Sequence, residues 1–304
     1  MRGNSPLDGL GKGFVLLVVG AVLVAVGLSM GGRWPGFMHW RFDRSGDGFS
    51  FERGWERSWG SADDAEEADI SRVEIIEGVL PSGLEKIDVS LAAGSLVIRS
   101  GDSSAWRALD FPADGIRTDS DDDSFSFEER DWKGRFSSRQ GFRMPKLEIT
   151  LGPEIRLQDV HLELGAGNVE LSDLETLRFS LENGAGSVAG RNITAGSAAL
   201  ETAAGSVVLT AASFDSARIE TGAGRLQFEG SLGDRSSVST GMGSVEMKLS
   251  GGADRYFIRF ERGLGSVSID GKSWNGAGNG TAGDSSAPAT VNLKTGLGSI
   301  RIDF

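Results

Sequence analysis

No cysteine occurs anywhere in the 304 residues. That removes disulfides, thiolate metal sites, cysteine nucleophiles and lipid attachment through cysteine. Only two histidines are present, His39 and His161, far apart in sequence. A histidine-based zinc site or a Ser-His-Asp triad therefore has little to build on. Bases are outnumbered: 31 Lys and Arg against 43 Asp and Glu give a formal net charge of −12. This balance argues against the basic surface by which nucleic-acid binders hold phosphates. Proline is scarce at 7 residues, whereas glycine is abundant at 45. Aliphatic and aromatic residues are plentiful enough for a real core.

One long uncharged run stands near the start. Phe14 to Met30 reads FVLLVVGAVLVAVGLSM. As a helix its 17 residues span about 26 Å, close to the ~30 Å hydrocarbon core of a bilayer. The run exceeds the ~7–15 apolar residues usual in a signal peptide, which favours a transmembrane anchor over residues 14–31. Ala25 and Gly27 keep a cleaved signal peptide as the alternative. Flanking charge does not decide orientation: Arg2 and Lys12 with Asp8 precede the run, and Arg33, Arg41 and Arg44 with Asp43 follow it. A short tail before a single apolar helix resembles a signal anchor, so the large remainder is expected outside the cytoplasm. Residues 32–70 read as a linker, first rich in Trp and Arg, then acidic. Its tryptophans suit headgroup depth at a membrane interface.

The remainder, 71–304, is a repeat. Its unit is legible at Gly184-Ala-Gly-Ser-Val and returns after 19 residues each time, at Gly165, Gly184, Ala203, Gly222 and Gly241. Further copies start at Ala92, Gly263 and Gly296. The second glycine of each copy is Gly94, Gly167, Gly186, Gly205, Gly224, Gly243, Gly265 or Gly298. A phosphate loop needs Lys-Ser/Thr after its glycines, and a dinucleotide site needs a following helix. Neither accompanies any copy, so these glycines are structural corners.

Apolar residues flank every corner. Val89, Leu162, Leu181, Leu200, Ile219, Val238, Phe260 and Leu293 lie three before. Leu96, Val169, Val188, Val207, Leu226, Val245, Val267 and Ile300 lie four after each start, with Ile98, Leu171, Leu209, Phe228, Met247, Ile269 and Ile302 two further on. Gly190 interrupts that third column. Spacing of two is strand periodicity. The expected fold is all-β: a β-solenoid of ~19-residue, two-strand coils. An antiparallel meander of hairpins also fits the strands, but a constant pitch favours stacking.

Other features read as structural. Thr202, Thr221, Thr240 and Thr295, with Asn183 and Arg262 interrupting, form one column before the corner. That is cross-coil packing rather than an ice-binding face. Asp121, Asp122 and Asp123 lie in a charged insertion, 101–146, without the alternation of a calcium loop. Residues 272–286 read as a surface loop. The acids Glu170, Asp173, Glu175 and Glu229 are scattered, whereas Glu182, Glu201 and Glu220 stack as an acidic stripe. No catalytic, cofactor or metal residue is expected. The chain stops in register with the repeat, so its last coil is expected to be an open edge for a protein partner or a second copy.

A membrane anchor followed by G-x-G-[SN]-[VLI]-x-[LIVF] coils resembles the bacterial toast-rack, adhesin-like family of domains of unknown function. The resemblance covers about 70–304. It implies stacked β-coils, often membrane-tethered and linked with envelope-stress systems, and brings no catalytic motif. The expected role is a non-enzymatic envelope scaffold or sensor. A surface adhesin or a carbohydrate-active β-helix enzyme is the alternative.

Overall fold

The computed structural model describes residues 75–111, 114–130 and 144–304. The expected tail, anchor and linker lie outside the described residues, as does His39. Across the described residues the chain is all-β, with no α-helix and one 3-10 turn at Ala253–Arg255. No helix among the described residues is long and apolar enough to cross a membrane.

The longest element is β7, Leu157–Leu232, whose 76 residues make four turns of 19. Its glycines stack turn upon turn, Gly167 under Gly186 under Gly205 under Gly224. Contacts at a separation of 19 run along it, such as Ser187 Oγ to Asn168 Oδ1 at 2.7 Å. The same step continues into β8 (Ser236–Thr240) and β9 (Ser244–Leu249), both parallel to β7. Before it, β2 (Lys86–Ser100) lies parallel to β7 with Gly94 opposite Gly167 and Leu96 opposite Val169. Parallel register throughout this stack excludes a meander of hairpins for these coils.

Chain order and spatial order part company at both ends. The insertion carries β3 (Ala105–Leu109), β4 (Ile116–Ser120) and β5 (Ser124–Glu129), and leads into β6 (Lys146–Leu151). β5 and β6 both lie parallel to β2, on its far side from β7. The insertion therefore supplies a further coil and is not merely a charged excursion. Phe125 and Phe127 take the places of Ile87 and Val89, while Leu147 and Ile149 take those of Leu96 and Ile98. Period-two alternation in SFSFEE and KLEITL is the local cause. β4 and β3 then run antiparallel outside β5 and β6, and β1 (Ile75–Val79) outside β3. Trp106 and Phe111 close that end on Phe125 and Phe127, with ring centroids 5.2–6.1 Å apart.

At the other end, β14 (Ala289–Thr295) and β15 (Ser299–Asp303) pair with β8 and β9 on one side. On the other side they pair with β10 (Tyr256–Arg262) and β11 (Ser266–Ile269). The last coil in sequence is thus an inner coil of the stack. This corrects the expected open C-terminal edge: every copy of the corner motif is a suitable neighbour for every other, and position along the chain does not rank them. The outermost parallel coil is β10 and β11, and 272–286 is no mere loop. Asp270 and Gly271, at φ 47° and 80°, make a two-residue hairpin turn into β12 (Lys272–Asn275), which pairs back on β11. β13 (Gly278–Ala282) pairs back on β10. Trp274 packs on Phe260 with centroids 4.9 Å apart.

The three apolar columns all point inward and are buried, forming one continuous core. At Gly190 the missing side chain is replaced by its neighbours: a Cβ there would lie 2.6 Å from both Ile193 Cδ1 and Leu209 Cδ2.

Candidate functional site

Each glycine corner follows a strand whose apolar residue three places back points inward, and it must turn while keeping hydrogen bonds to the coils above and below. Gly94, Gly167, Gly186, Gly205 and Gly224 do so at φ between 134° and 158°, a conformation that side chains disfavour. Gly243, Gly265 and Gly298 are held by close approach: an added Cβ would lie 2.0–2.2 Å from the carbonyl oxygen of the neighbouring coil. The coil of β5 and β6 lacks the glycine motif. There the Glu129 carboxylate accepts the Ala92 N–H at 3.0 Å, and the Pro145 carbonyl accepts the Ser95 N–H at 2.8 Å.

The opposite corner carries no glycine signature, and its regularity is visible only in the structure. Asp173, Asn192 and Ala211, each 19 apart, take left-handed conformations at φ 52–55°. Asn192 Nδ2 donates to Asp173 Oδ1 at 2.8 Å, one coil away.

The middle residue of the glycine corner points outward. In spatial order it is Ala93, Ala166, Ala185, Ala204, Ala223, Met242, Leu297 and Leu264. The last three are exposed by 57%, 61% and 77%. Their backbones stack directly: Leu297 N–H donates to the Gly241 carbonyl and Leu264 N–H to the Gly296 carbonyl. A shallow hollow beside them is lined by Ser244, Ser266, Ser299 and Asn275. The sequence carries this signal as a change from Ala to Met or Leu inside G-x-G.

The threonine column faces the opposite way. Thr202, Thr221, Thr240 and Thr295 are 2–6% exposed and Asn183 is 2% exposed, all inside the corner. The column is therefore no outer face. Thr240 Oγ1 accepts the Gly243 N–H at 3.2 Å. The Asn183 amide and the Thr221 and Thr295 hydroxyls have no protein hydrogen-bond partner.

Charged groups sit on the outside. Glu182 and Glu201 are exposed, with Glu163 one coil earlier, and Glu220 pairs with Arg218 at 2.6 Å. Glu229 pairs with Lys248 at 3.2 Å. Such exposed pairs contribute little stability. The hydrogen bond from Lys146 holds Glu148 below the usual carboxylate range, against the opposing effect of partial burial. Asp121 to Asp123 form the tight connection between β4 and β5. There the Asp123 carbonyl accepts the Glu85 and Lys86 N–H groups. Among the described residues no group of three His, Cys, Asp or Glu could hold a metal ion. His161 lies on β7 opposite Asp88.

A stack of parallel β-coils with glycine corners is the architecture of a repeat domain. Residues 84–302 match the Toastrack DUF4097 family, and the chain belongs to it. Solved structures share the likeness at low identity. A "putative cell adhesion protein" from Clostridium sporogenes is 15% identical, covering 76% of this chain and 99% of that one, with a TM-score of 0.31. A "putative adhesin" from Bacteroides fragilis is 14% identical, covering 77% and 98%, with a TM-score of 0.36. A "putative lipid binding protein" from Parabacteroides distasonis is 10% identical, covering 77% and 98%, with a TM-score of 0.41. No curated protein matches.

Proposed function

We propose that this chain is a non-enzymatic, membrane-anchored β-solenoid that serves as a scaffold or sensor outside the cytoplasmic membrane of a bacterium. The observation that carries the reading is the pairing of an uncharged apolar run at 14–30 with a continuously hydrogen-bonded stack. The stack offers long outward ladders of side chains at fixed spacing, suited to extended contact with another protein. The functional residues then lie along faces, and the corner glycines set their spacing.

Protease protection and cross-linking of the full chain in its own membranes tests this. Cleavage from outside, with cross-links to a membrane or regulatory protein, supports the scaffold or sensor. Release from the membrane, or cross-links only to surface polymers, favours an adhesin or a carbohydrate-active protein. Protection inside intact cells removes the proposal.

A further inference from the structure

We infer that the ladder of Met242, Leu297 and Leu264 is a membrane-contact edge, inserted among the lipids of the bilayer that anchors the chain. This rests on the anchor reading of residues 14–31.

Five corners carry alanine at this outward position, and three spatially consecutive corners carry Met or Leu. At ~4.8 Å per coil the three side chains make a ridge about 10 Å long. They are the most exposed large apolar side chains of their end of the stack. Serine hydroxyls from Ser244, Ser299 and Ser266 rim the ridge. An apolar patch with a polar rim marks a contact surface.

The chemistry favours lipid over a second copy. A stable interface between proteins buries roughly 800 Å² per partner, centred on Trp, Tyr or Arg anchors. Three aliphatic side chains on a convex corner supply neither that area nor such an anchor. A bilayer needs no matching shape, and tethering raises its effective concentration so that a small apolar edge suffices. The tether reaches. Ile75, where the described chain begins, opens β1, three strand spacings beyond β2, so Leu264 lies ten spacings away, roughly 48 Å. Residues 32–74 number 43. Even at a helical rise of ~1.5 Å they span more than that distance.

The absence of native cysteine makes the test clean. Leu264→Cys and Leu297→Cys each create a single thiol in the full chain, as do Ala166→Cys and Ala204→Cys on the alanine corners. Each variant is labelled with the environment-sensitive dye NBD and reconstituted into phosphatidylcholine vesicles, with and without brominated acyl chains. Flotation reads the anchor, and the dye reads the ladder. The expected result is flotation of all four, with a blue shift and at least twofold brighter emission at 264 and 297 only, quenched by bromolipid. Flotation with the same aqueous emission at all four positions overturns the ladder while leaving the anchor standing. Brighter emission that bromolipid does not quench also overturns it, since the occupant is then protein. Failure to float overturns the anchor, and the ladder proposal falls with it.

Discussion

Gly186 lies directly against the carbonyl oxygen of Gly167, so close that a Cβ on Gly186 would sit 1.8 Å from it. No rotamer relieves this contact, because both partners are backbone. The first glycine of the same corner is less constrained. A Cβ on Gly184 would lie 2.4 Å from the Gly165 carbonyl oxygen, yet the equivalent position one coil on is Ala203. Gly186→Val is expected to destabilise the domain by more than ~2 kcal/mol, combining backbone strain at positive φ with displacement of the neighbouring coil. Gly184→Ala is expected to cost about 1 kcal/mol or less. Urea unfolding of the two variants checks the order, and equal losses would mean that the corner is not set by this contact.

The inner position of β14 and β15 gives a second expectation. Removing 289–304 takes out a rung between β8 and β10, not a free end. Two apolar layers are then uncovered at once. The truncated chain is expected to associate, and its amides at 256–269 to lose protection from hydrogen exchange. A monomer with unchanged protection would contradict the coil order.

Ala211 holds φ 52° at a corner where the preceding coils have Asn192 and Asp173. Alanine has no side-chain hydrogen bond to offset a left-handed backbone, whereas asparagine tolerates it. Ala211→Asn is therefore expected to stabilise by ~0.5–1 kcal/mol, with a ladder contact to Asn192 as the added gain. A melting temperature that falls would show that the side chain finds no room.

Glu148 gives a pH dependence whose sign follows from its depressed folded pKa. Its contribution is present above the ordinary carboxylate range and is lost as pH falls through the lowered folded value. Lys146→Met removes the hydrogen bond and should lower stability at neutral pH by under about 1 kcal/mol, the two proteins converging as pH falls through the acid window. Parallel urea titrations at pH 3 to 7 read the difference.

Much of the interior is legible in the letters alone, because a period of two around a fixed glycine leaves little choice of face. Val89, Leu162 and Leu181 need only that rule to be placed inside. The order of coils is not legible. Gly263-Leu-Gly-Ser-Val and Gly296-Leu-Gly-Ser-Ile are equally good neighbours for Gly241-Met-Gly-Ser-Val, and only three-dimensional closure selects the later one. The coil of β5 and β6 is hidden in the letters because it carries Phe125, Phe127, Leu147 and Ile149 without the glycine motif. Asp270-Gly271 does carry a hairpin signal, but it is masked by the glycine-rich run that follows. At the candidate edge the change from Ala223 to Met242 is visible in the letters, yet its meaning requires knowing that Leu297 lies between Met242 and Leu264.

The threaded position of β14 and β15 also bears on how the protein is made. Synthesis is vectorial, and β10 to β13 leave the ribosome before the strands that must seat them. Until β14 and β15 emerge, β8 and β9 lack their final neighbours, and β10 to β13 have only each other to pair with. The coils up to that point can be laid down one at a time, each on a finished template. The next two cannot: β10 and β11 gain their final seat only when β14 and β15 enter between them and β8 and β9. A nascent chain halted in this interval keeps an unfinished terminus, open to proteases and to pairing with other chains.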